Sequence, residues 1–397
     1  MKALCFKGSG SEYFKIWIVN ILLIIVTLGL YYPWAKVRNH RYFYANTILE
    51  ERNFEYHATG KQLFLGFLVA MVLFITYIVI SKILPIGGFM IMGILFVAIP
   101  WLIWRSLKFS LKMTSFSNVR FGFKGTLRQA YINFFVFPFL FILALYGVPM
   151  GVAVGVPMML GEEGVAPWLQ AILPLAIIIS IGFAFYLYGF MKKKNTSYRL
   201  NGTRYGQGIF ETNLEVKKFL FILLKTIGMS ILVIGVFVLL IGSVVYTTIG
   251  LEGVLEMKYN MNNPQAGHTG LGLMMMIYIS AYLGFIFSSM LIMAYSITRQ
   301  RSYIYQNTSL DKKISFASTL KAKSLAWVMV TNFIVILLTL GLAFPWTKVR
   351  MARLIVENTL VDTEAGFYEY ITQKEKEESS LGEQIGDAFD VDVGIGL

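Results

Sequence analysis

The chain has 397 residues, of which 56% are hydrophobic and 14% are charged, with a formal net charge of +13. A soluble globular domain has about 25% charged residues, so this composition excludes an ordinary soluble protein and indicates a chain that faces lipid. Orientation in a membrane accounts for the basic excess, so the sequence does not predict nucleic-acid binding.

The N-terminal segment and the rare side chains exclude several kinds of site. Residues 1–15 are polar and lead to no small-residue cleavage site, so no removable signal peptide is expected. Cys5 is the single cysteine, which rules out an intramolecular disulfide. His40, His57 and His268 lie far apart without metal-ligand spacing, so the sequence predicts no metal site and no cofactor.

Six long apolar runs follow along the chain. Each has roughly the 20 residues that cross ~30 Å of hydrocarbon as a helix, which predicts six full transmembrane helices. The runs cover residues 64–80, 86–104, 132–160, 168–190, 219–246 and 271–296. Two shorter apolar elements, 16–34 and 325–346, flank them.

Basic residues crowd every second connection between these runs. Lysines and arginines gather in residues 36–61, 105–128, 192–218 and 299–323, whereas the other connections are short, acidic or nearly neutral. By the positive-inside rule the basic segments face the cytoplasm. The sequence therefore predicts a multi-pass membrane protein with both termini in the cytoplasm and anionic phospholipid headgroups against its basic face.

One twelve-residue stretch occurs twice. TLGLYYPWAKVR and TLGLAFPWTKVR belong to two copies of one element, at residues 20–49 and 332–361. A repeat of this length indicates two matching structural elements. The shared residues predicted to anchor them at the membrane interface are Asn20, Pro33, Trp34, Lys36 and Arg38 in the first copy, and Asn332, Pro345, Trp346, Lys348 and Arg350 in the second.

Two topologies are open to these elements. Each copy either enters and leaves the membrane on the cytoplasmic side, bending at its Leu-Gly pair, or crosses the membrane once. Re-entrance agrees with the basic connections on both sides of each copy, whereas a single crossing would put both termini outside.

Related segments end these copies and also lie between the apolar runs. Each contains a threonine, an alternating pattern, turn residues and an aromatic residue, which is typical of a β-hairpin. We therefore predict five short cytoplasmic hairpins, the alternative being polar loops. The segments begin at Asn46, Met113, Asn195, Asn307 and Asn358.

The run at 132–160 is rich in glycine and proline, so its helix should be kinked or locally unwound. Broken helices expose backbone groups to the substrate in transporters, whereas glycines four residues apart also allow two helices to pack closely. The candidate pathway residues are Pro138, Gly147, Pro149, Gly151, Gly155 and Pro157.

The chain changes character after Val361. Residues 1–361 form the predicted membrane domain, and residues 362–397 form an acidic cytoplasmic tail with ten acidic residues and two lysines. Such a tail is either solvated and disordered or docked on the basic cytoplasmic face by charge complementarity.

The stretch TLGLYYPWAKVR, the segment RFGF at Arg120 and the tail sequence GDAFDVDVG resemble the YjgN-like family of bacterial inner-membrane proteins, a domain of unknown function. The resemblance covers nearly the whole chain. It implies a polytopic protein of the inner membrane, and it implies no particular substrate or catalytic residue.

The predicted fold is an all-α polytopic membrane protein with six full transmembrane helices, two shorter repeated elements and small cytoplasmic β-hairpins. No catalytic motif is present, so we do not predict an enzyme. Our leading hypothesis is a transporter or channel-like protein for a small solute or lipid. One alternative is a membrane scaffold that binds anionic lipid or a partner protein through its basic cytoplasmic face. Another is a lipid-modifying enzyme, which the absence of a motif leaves open.

Overall fold

The computed structural model describes residues 1–155, 158, 166–262, 271–363 and 366–377. The described helices are α1 (Gly10–Val26), α2 (Tyr32–Ala45), α3 (Gly60–Ile83), α4 (Pro85–Lys112), α5 (Leu127–Gly155), α6 (Ala166–Gly202), α7 (Val216–Asn262), α8 (Leu271–Gln306), α9 (Ala322–Leu338), α10 (Phe344–Glu357) and a short helix over residues 367–377. Six of them, α3 to α8, contain a stretch long and apolar enough to cross a membrane, which confirms the six predicted spans.

The chain divides into two compact units. The first comprises Met1–Leu220, Ser302–Thr319 and the described residues of Leu342–Leu397. The second comprises Phe221–Arg301 and Leu320–Gly341. All the strands lie in the first unit.

Eleven short strands form one antiparallel sheet in the order β1-β11-β10-β9-β8-β7-β6-β5-β4-β3-β2. They are β1 (Lys2–Ala3), β2 (Cys5–Phe6), β3 (Thr47–Leu49), β4 (Arg52–Tyr56), β5 (Thr114–Phe116), β6 (Val119–Phe123), β7 (Thr203–Tyr205), β8 (Gly208–Thr212), β9 (Thr308–Leu310), β10 (Ile314–Ser318) and β11 (Thr359–Val361). The sequence predicted a small cytoplasmic β layer of repeated hairpins, and it did not predict that the strands form one sheet of eleven.

The sheet closes on itself at the start of the chain. β1 and β2 are two halves of one extended segment, separated only by Leu4, whose amide donates to the carbonyl oxygen of Thr359 at 3.0 Å. β1 pairs with β11 and β2 pairs with β3, so the two ends of the sheet meet at this segment. We call the closed sheet the strand ring. Closure removes the exposed sheet edges that would otherwise invite aggregation.

A threonine begins the first strand of every pair, and its side chain marks the end of the preceding helix. Each hydroxyl donates to the carbonyl oxygen four residues earlier at 2.7 to 2.9 Å, which satisfies one of the free carbonyl groups in the last helical turn. These residues are Thr47, Thr114, Thr203, Thr308 and Thr359. Helices and hairpin turns therefore lie at opposite ends of the strand ring.

The positions of the strand pairs differ from the predicted hairpins in two places. The third pair begins at Thr203 because residues 195–202, predicted to start a hairpin, continue helix α6. The fifth segment contributes only the single strand β11, whose antiparallel neighbours are β10 and β1.

The N-terminal segment supplies the strand that the fifth segment lacks. The register Leu360↔Ala3 corresponds to Ile48↔Asn53 in the first hairpin. Residues 2–6 therefore occupy the place of a second strand, and the fifth pair is split between the start of the chain and residues 359–361. Five equivalent pairs, each entered from a helix, build the ring.

The first repeated element is a helical hairpin, and the second copy has a first helix of the same length followed by a turn with the same backbone conformation. In the first copy α1 and α2 pack against each other and are joined by a turn in which Leu28 and Gly29 have φ values of 50° and 92°. Leu340 and Gly341 have φ values of 49° and 89° between α9 and α10. Glycine tolerates such a φ without steric strain, which explains the shared Leu-Gly pair. Each first helix has 17 residues, about 26 Å of length and less than a full span.

Candidate functional site

A girdle of ten apolar side chains lines the inside of the strand ring. Each strand contributes one residue, with residues 2–6 counted as a single strand, and girdle residues face each other in register across neighbouring pairs, as in Phe54↔Phe116 and Phe210↔Leu310. The aromatic rings of Phe54 and Phe116 have centroids 4.6 Å apart. The girdle consists of Leu4, Leu49, Phe54, Phe116, Phe121, Tyr205, Phe210, Leu310, Phe316 and Val361.

The girdle encloses a cavity of about 220 Å³. The hydroxyl of Tyr205 donates to the carbonyl oxygen of Phe116 at 3.0 Å, so its polar end is satisfied away from the cavity. An apolar cavity of ~150 Å³ in another protein stays dry and binds benzene. The cavity of the strand ring is therefore chemically suited to an aliphatic or aromatic group, and its lining offers no acid or base pair for catalysis.

A helix from the C-terminal tail closes the turn end of the ring. Residues 367–377, which we call the cap helix, place Phe367, Tyr370 and Ile371 in the same buried core as the girdle. Ile371 is 1% exposed, so its side chain is fully withdrawn from water. The described part of the tail thus docks through apolar side chains, which the charge of the tail did not predict.

Polar contacts fix the cap helix to the hairpin turns. Tyr370 donates to Asp311 Oδ2 at 2.7 Å, and the Lys374 ammonium lies 3.8 Å from the same oxygen. Burial and this hydrogen bond raise the pKa of Tyr370. Asp311 Oδ1 in turn accepts from the amide of Ile209 at 2.6 Å. The carboxylate therefore joins the cap helix to two neighbouring hairpins.

A second set of contacts ties the cap helix to the first hairpin and the N-terminus. Tyr368 donates to Glu50 Oε2 at 2.8 Å, and Lys2 lies 2.7 Å from Glu50 Oε1. These two partners, Lys2 first, hold the pKa of Glu50 below its ordinary value. Asn118 in the second hairpin donates to Glu375 Oε1 at 2.9 Å.

The two copies of the repeated motif contact the next helix along the ring in the same way. The ring of Trp34 covers Gly60 at the start of α3, and the ring of Trp346 covers Gly10 at the start of α1. A Cβ atom at either glycine would overlap the indole. Arg41 donates to the carbonyl of Ala58, and Arg353 donates to the carbonyl of Gly8, both at 2.9 Å. The second copy therefore joins the end of the chain to its beginning.

The other predicted motif residues have distinct surroundings in the two copies. Asn20 is buried, donates to Asn39 and accepts from Arg38 Nη1, both at 3.3 Å. Lys348 donates to the Tyr13 hydroxyl at 3.0 Å and is half-buried. The remaining members are the buried Asn332, Pro33 and Pro345 and the exposed Lys36 and Arg350.

The glycine- and proline-rich helix α5 has π-helical turns over Ile132–Val136, Leu143–Gly147 and Gly151–Gly155. The φ and ψ values at the residues that bound these turns remain helical, so the backbone is not unwound at these residues, and the other predicted form, a kinked helix, stays a prediction. Pro138 and Pro149 lie in the first turn of the α-helical pieces between them. An added Cβ at Gly147 would meet only Leu143 of its own helix, and one at Gly151 or Gly155 would meet nothing within 4 Å. Pro157 lies outside the described residues.

Sequence reasoning missed a third occurrence of part of the motif. Pro100, Trp101 and Arg105 of α4 repeat the spacing of Pro33, Trp34 and Arg38. Each of the five threonines that begin a strand pair is preceded by an aromatic residue thirteen positions earlier and by a basic residue nine positions earlier. These pairs are Trp34/Arg38, Trp101/Arg105, Phe190/Lys194, Tyr295/Arg299 and Trp346/Arg350.

The fivefold pattern is therefore readable in the sequence once the threonines are used as the reference points. The girdle has a weaker signal, a phenylalanine in the middle of four second strands. The cap helix has no signal of this kind, because Phe367, Tyr370 and Ile371 belong to a segment whose composition is dominated by charge.

The chain is similar to bacterial proteins of the inner membrane. The family described as "Bacterial protein of unknown function (DUF898)" matches residues 1–388. "Inner membrane protein YjgN" of Salmonella typhimurium is 30% identical over 382 residues, which cover 94% of this chain and 91% of that protein. The protein of the same name from Escherichia coli O157:H7 is 26% identical over 360 residues, which cover 89% and 87%. No solved structure matches the chain. This chain therefore belongs to the bacterial family DUF898, and it is a multi-pass protein of the inner membrane.

Proposed function

We propose that the protein is a transporter or channel-like protein for a small apolar or amphiphilic molecule such as a lipid. In this proposal the strand ring is a chamber at the cytoplasmic surface, and the cap helix closes it. The observation that carries the proposal is the apolar cavity of about 220 Å³, enclosed by the girdle and covered by a helix of the same chain. A purely structural core would fill such a space with side chains.

The π-helical turns of α5 are the proposed pathway element within the membrane. Single π-turns occur frequently at functional sites, because they leave a local irregularity in the backbone hydrogen bonds. The proposal places both termini in the cytoplasm and makes the two repeated elements re-entrant. Leu28 and Leu340 at their tips are 94% and 92% exposed, as residues that face lipid should be. The proposed role is binding and passage without chemical conversion of the solute.

The proposal predicts that the protein works only when the cap helix can leave the ring. We would introduce Asn118→Cys and Glu375→Cys into a Cys5→Ser background, because the two native side chains are hydrogen-bonded. A short, reducible bis-thiol reagent then bridges the cap helix to the second hairpin. The probe is a fluorescent short-chain phosphatidylglycerol, and its movement across the bilayer of proteoliposomes is followed by quenching from outside.

Bridging should stop lipid movement, and reduction should restore it. Each single-cysteine variant, treated with the same reagent, is the matched control. Equal rates with the bridge present and absent would show that cap release is not part of the activity. Rates equal to those of protein-free liposomes in all variants would contradict lipid movement itself.

A second candidate function is a membrane scaffold that binds anionic lipid or a partner protein through its basic cytoplasmic face. The observation that favours it is that basic side chains lie over aromatic rings of their own helices. Arg105 lies 5.3 Å from the centroid of Trp101, and Lys194 lies 5.5 Å from that of Phe190. Such pairs keep cations near headgroup depth, where aromatic residues are enriched. Binding of a partner protein that is lost on removal of these basic residues, without any lipid movement, would favour this candidate.

A further inference from the structure

A polar cavity lies where α5 begins and α6 ends. It has a volume of about 520 Å³ and is separate from the girdle. Three cationic side chains, Lys124, Lys194 and Arg204, contribute to its wall, and none of its described lining residues is acidic. Cations gathered in one cavity without a carboxylate repel each other, so an anion would relieve their repulsion.

Asn133 is the second observation that indicates a ligand. Its side chain belongs to the lining of this cavity and is 6% exposed, and its amide takes no part in the hydrogen bonds described for the cavity wall. Buried amide groups nearly always have partners, because an unmet donor or acceptor is destabilising. The equivalent positions seven residues after the helix cap are Ile16 in α1 and Ile222 in α7. Helix packing at this position therefore does not require an amide.

The wall of the cavity is held in place by contacts that leave these groups available. Tyr198 donates to the carbonyl of Thr126 at 3.0 Å, and Trp104 Nε1 donates to the carbonyl of Gly125 at 2.8 Å. Lys124 and Lys194 are exposed, whereas Arg204 is half-buried and its Nη1 donates to the backbone carbonyls of Asn201 and Thr203, which leaves its other N–H groups for a ligand. The cavity is thus preorganised at its base and open on its cationic side.

The remaining residues that line the cavity indicate which kind of anion fits it. Ile132 and Phe137 continue the cavity along α5 toward the apolar part of this span. A cationic mouth above an apolar wall suits a molecule with a charged head and an aliphatic remainder. Basic pockets between membrane helices on the cytoplasmic side bind the headgroups of anionic lipids in other proteins.

We propose that this cavity binds a phosphate ester, the headgroup of an anionic phospholipid, with Lys124, Lys194 and Arg204 around the phosphate and the Asn133 amide donating to one of its oxygens. We call it the headgroup pocket. The inference rests on the proposed membrane-surface position of the strand ring, and it requires neither lipid movement nor release of the cap helix. A failure of transport therefore leaves it standing.

The test measures binding to the full-length purified protein in detergent. The probes are short-chain phosphatidylglycerol, short-chain phosphatidylcholine, glycerol phosphate and inorganic phosphate, each followed by the rise in melting temperature that a ligand of the native state produces. We expect phosphatidylglycerol to stabilise the protein more than phosphatidylcholine. Stabilisation by glycerol phosphate or inorganic phosphate to the same extent would identify a soluble phosphate compound as the ligand of the same pocket.

Two variants test whether phosphatidylglycerol binds in the headgroup pocket. Lys194→Gln should weaken phosphatidylglycerol binding about tenfold, the loss that corresponds to one charge-assisted hydrogen bond. Lys192→Gln is the matched control, because Lys192 lies on the same helix, stacks on Tyr188 and does not line the pocket. Asn133→Leu should raise the melting temperature of the free protein and reduce the additional rise that phosphatidylglycerol causes, which a merely structural asparagine would not do.

Two results would overturn the proposal. Equal stabilisation of the unaltered protein by phosphatidylglycerol and phosphatidylcholine would overturn the proposal, since the anion would then not be recognised. Equal loss of binding in the Lys192 and Lys194 variants would also overturn it, because the effect would then come from general surface charge. If Lys194→Gln does not fold, Lys124→Gln provides the same comparison from another exposed position in the pocket.

Discussion

The phenol of Tyr370 donates a 2.7 Å hydrogen bond to Asp311 Oδ2, and through this bond a helix of the acidic tail is fixed to the fourth hairpin of the strand ring. A Cβ atom at Gly208 in the neighbouring hairpin would overlap the same hydroxyl. The cap helix therefore fits the turn end of the ring closely, by a polar contact at its edge and apolar contacts at its centre.

Removing the apolar contact should release the cap helix. Ile371 is fully buried, so Ile371→Ala should destabilise docking of the cap helix by about 2–5 kcal/mol. Tyr370→Phe removes one hydrogen bond and should destabilise docking by about 1 kcal/mol. Hydrogen exchange of residues 367–377, followed by mass spectrometry, measures the change. Thr372→Ala is the control, because Thr372 is exposed on the same helix. Unchanged protection in Ile371→Ala would contradict docking of this helix in the ring.

Docking should also weaken at alkaline pH. Burial and the bond to Asp311, with smaller contributions from Tyr205 and Glu377, raise the pKa of Tyr370 above its ordinary value of 10.0. Because the raised pKa belongs to the docked state, the stabilisation is fully present below pH 10.0 and declines as the pH rises above it. A dye attached at Thr372→Cys in a Cys5→Ser background should lose fluorescence anisotropy in this range.

Tyr370→Phe provides the control for that titration, since it removes the ionisable group and keeps the ring. Its anisotropy should be lower below pH 10.0 and should change less above it. An identical alkaline transition in both proteins would assign the effect to groups other than Tyr370.

The docking of the repeated motif predicts unequal effects of two similar substitutions in one helix. Gly60→Ala would force its Cβ into the indole of Trp34, whereas Gly66→Ala meets nothing within 4 Å. We expect Gly60→Ala to lower the melting temperature and Gly66→Ala to leave it unchanged or to raise it, because alanine stabilises a helix by about 1 kcal/mol over glycine. Equal effects of the two would contradict the contact between Trp34 and α3.

Much of the helical part of the fold was readable from the sequence, because a membrane span depends on the local property of about 20 consecutive apolar residues. The threonine-led segments were also visible locally. Closure of the ring could not be predicted from the sequence, because it depends on the pairing of Ala3 with Leu360. Nothing in either segment specifies such a distant partner. The same reason applies to the headgroup pocket, where Lys124 and Lys194 come from the two ends of a membrane excursion.

Ring closure predicts that the same substitution affects stability unequally at two adjacent positions. Successive side chains of an extended segment point to opposite faces, and here Leu4 belongs to the girdle while Cys5 is exposed. Leu4→Asp would bury an unpaired charge and should destabilise the protein by roughly 3 kcal/mol or more, whereas Cys5→Asp should be tolerated. Thermal unfolding in detergent measures both. Equal stability of the two variants would show that residues 2–6 do not close the ring.

The proposed topology predicts which positions are reached from outside an intact cell. Single cysteines at Ser11, Ser117, Glu163, Asn201 and Ser379, in a Cys5→Ser background, would be treated with a membrane-impermeant thiol reagent. With re-entrant hairpins only the Glu163 site should react, because the basic connections and both termini then lie in the cytoplasm. Permeabilised cells, in which the exposed Asn201 site should react as well, control for cysteines that are present but inaccessible. Reaction at Ser11 and Ser379 in intact cells would instead make both repeated elements ordinary spans and place the cap helix outside, where it could not close a cytoplasmic chamber.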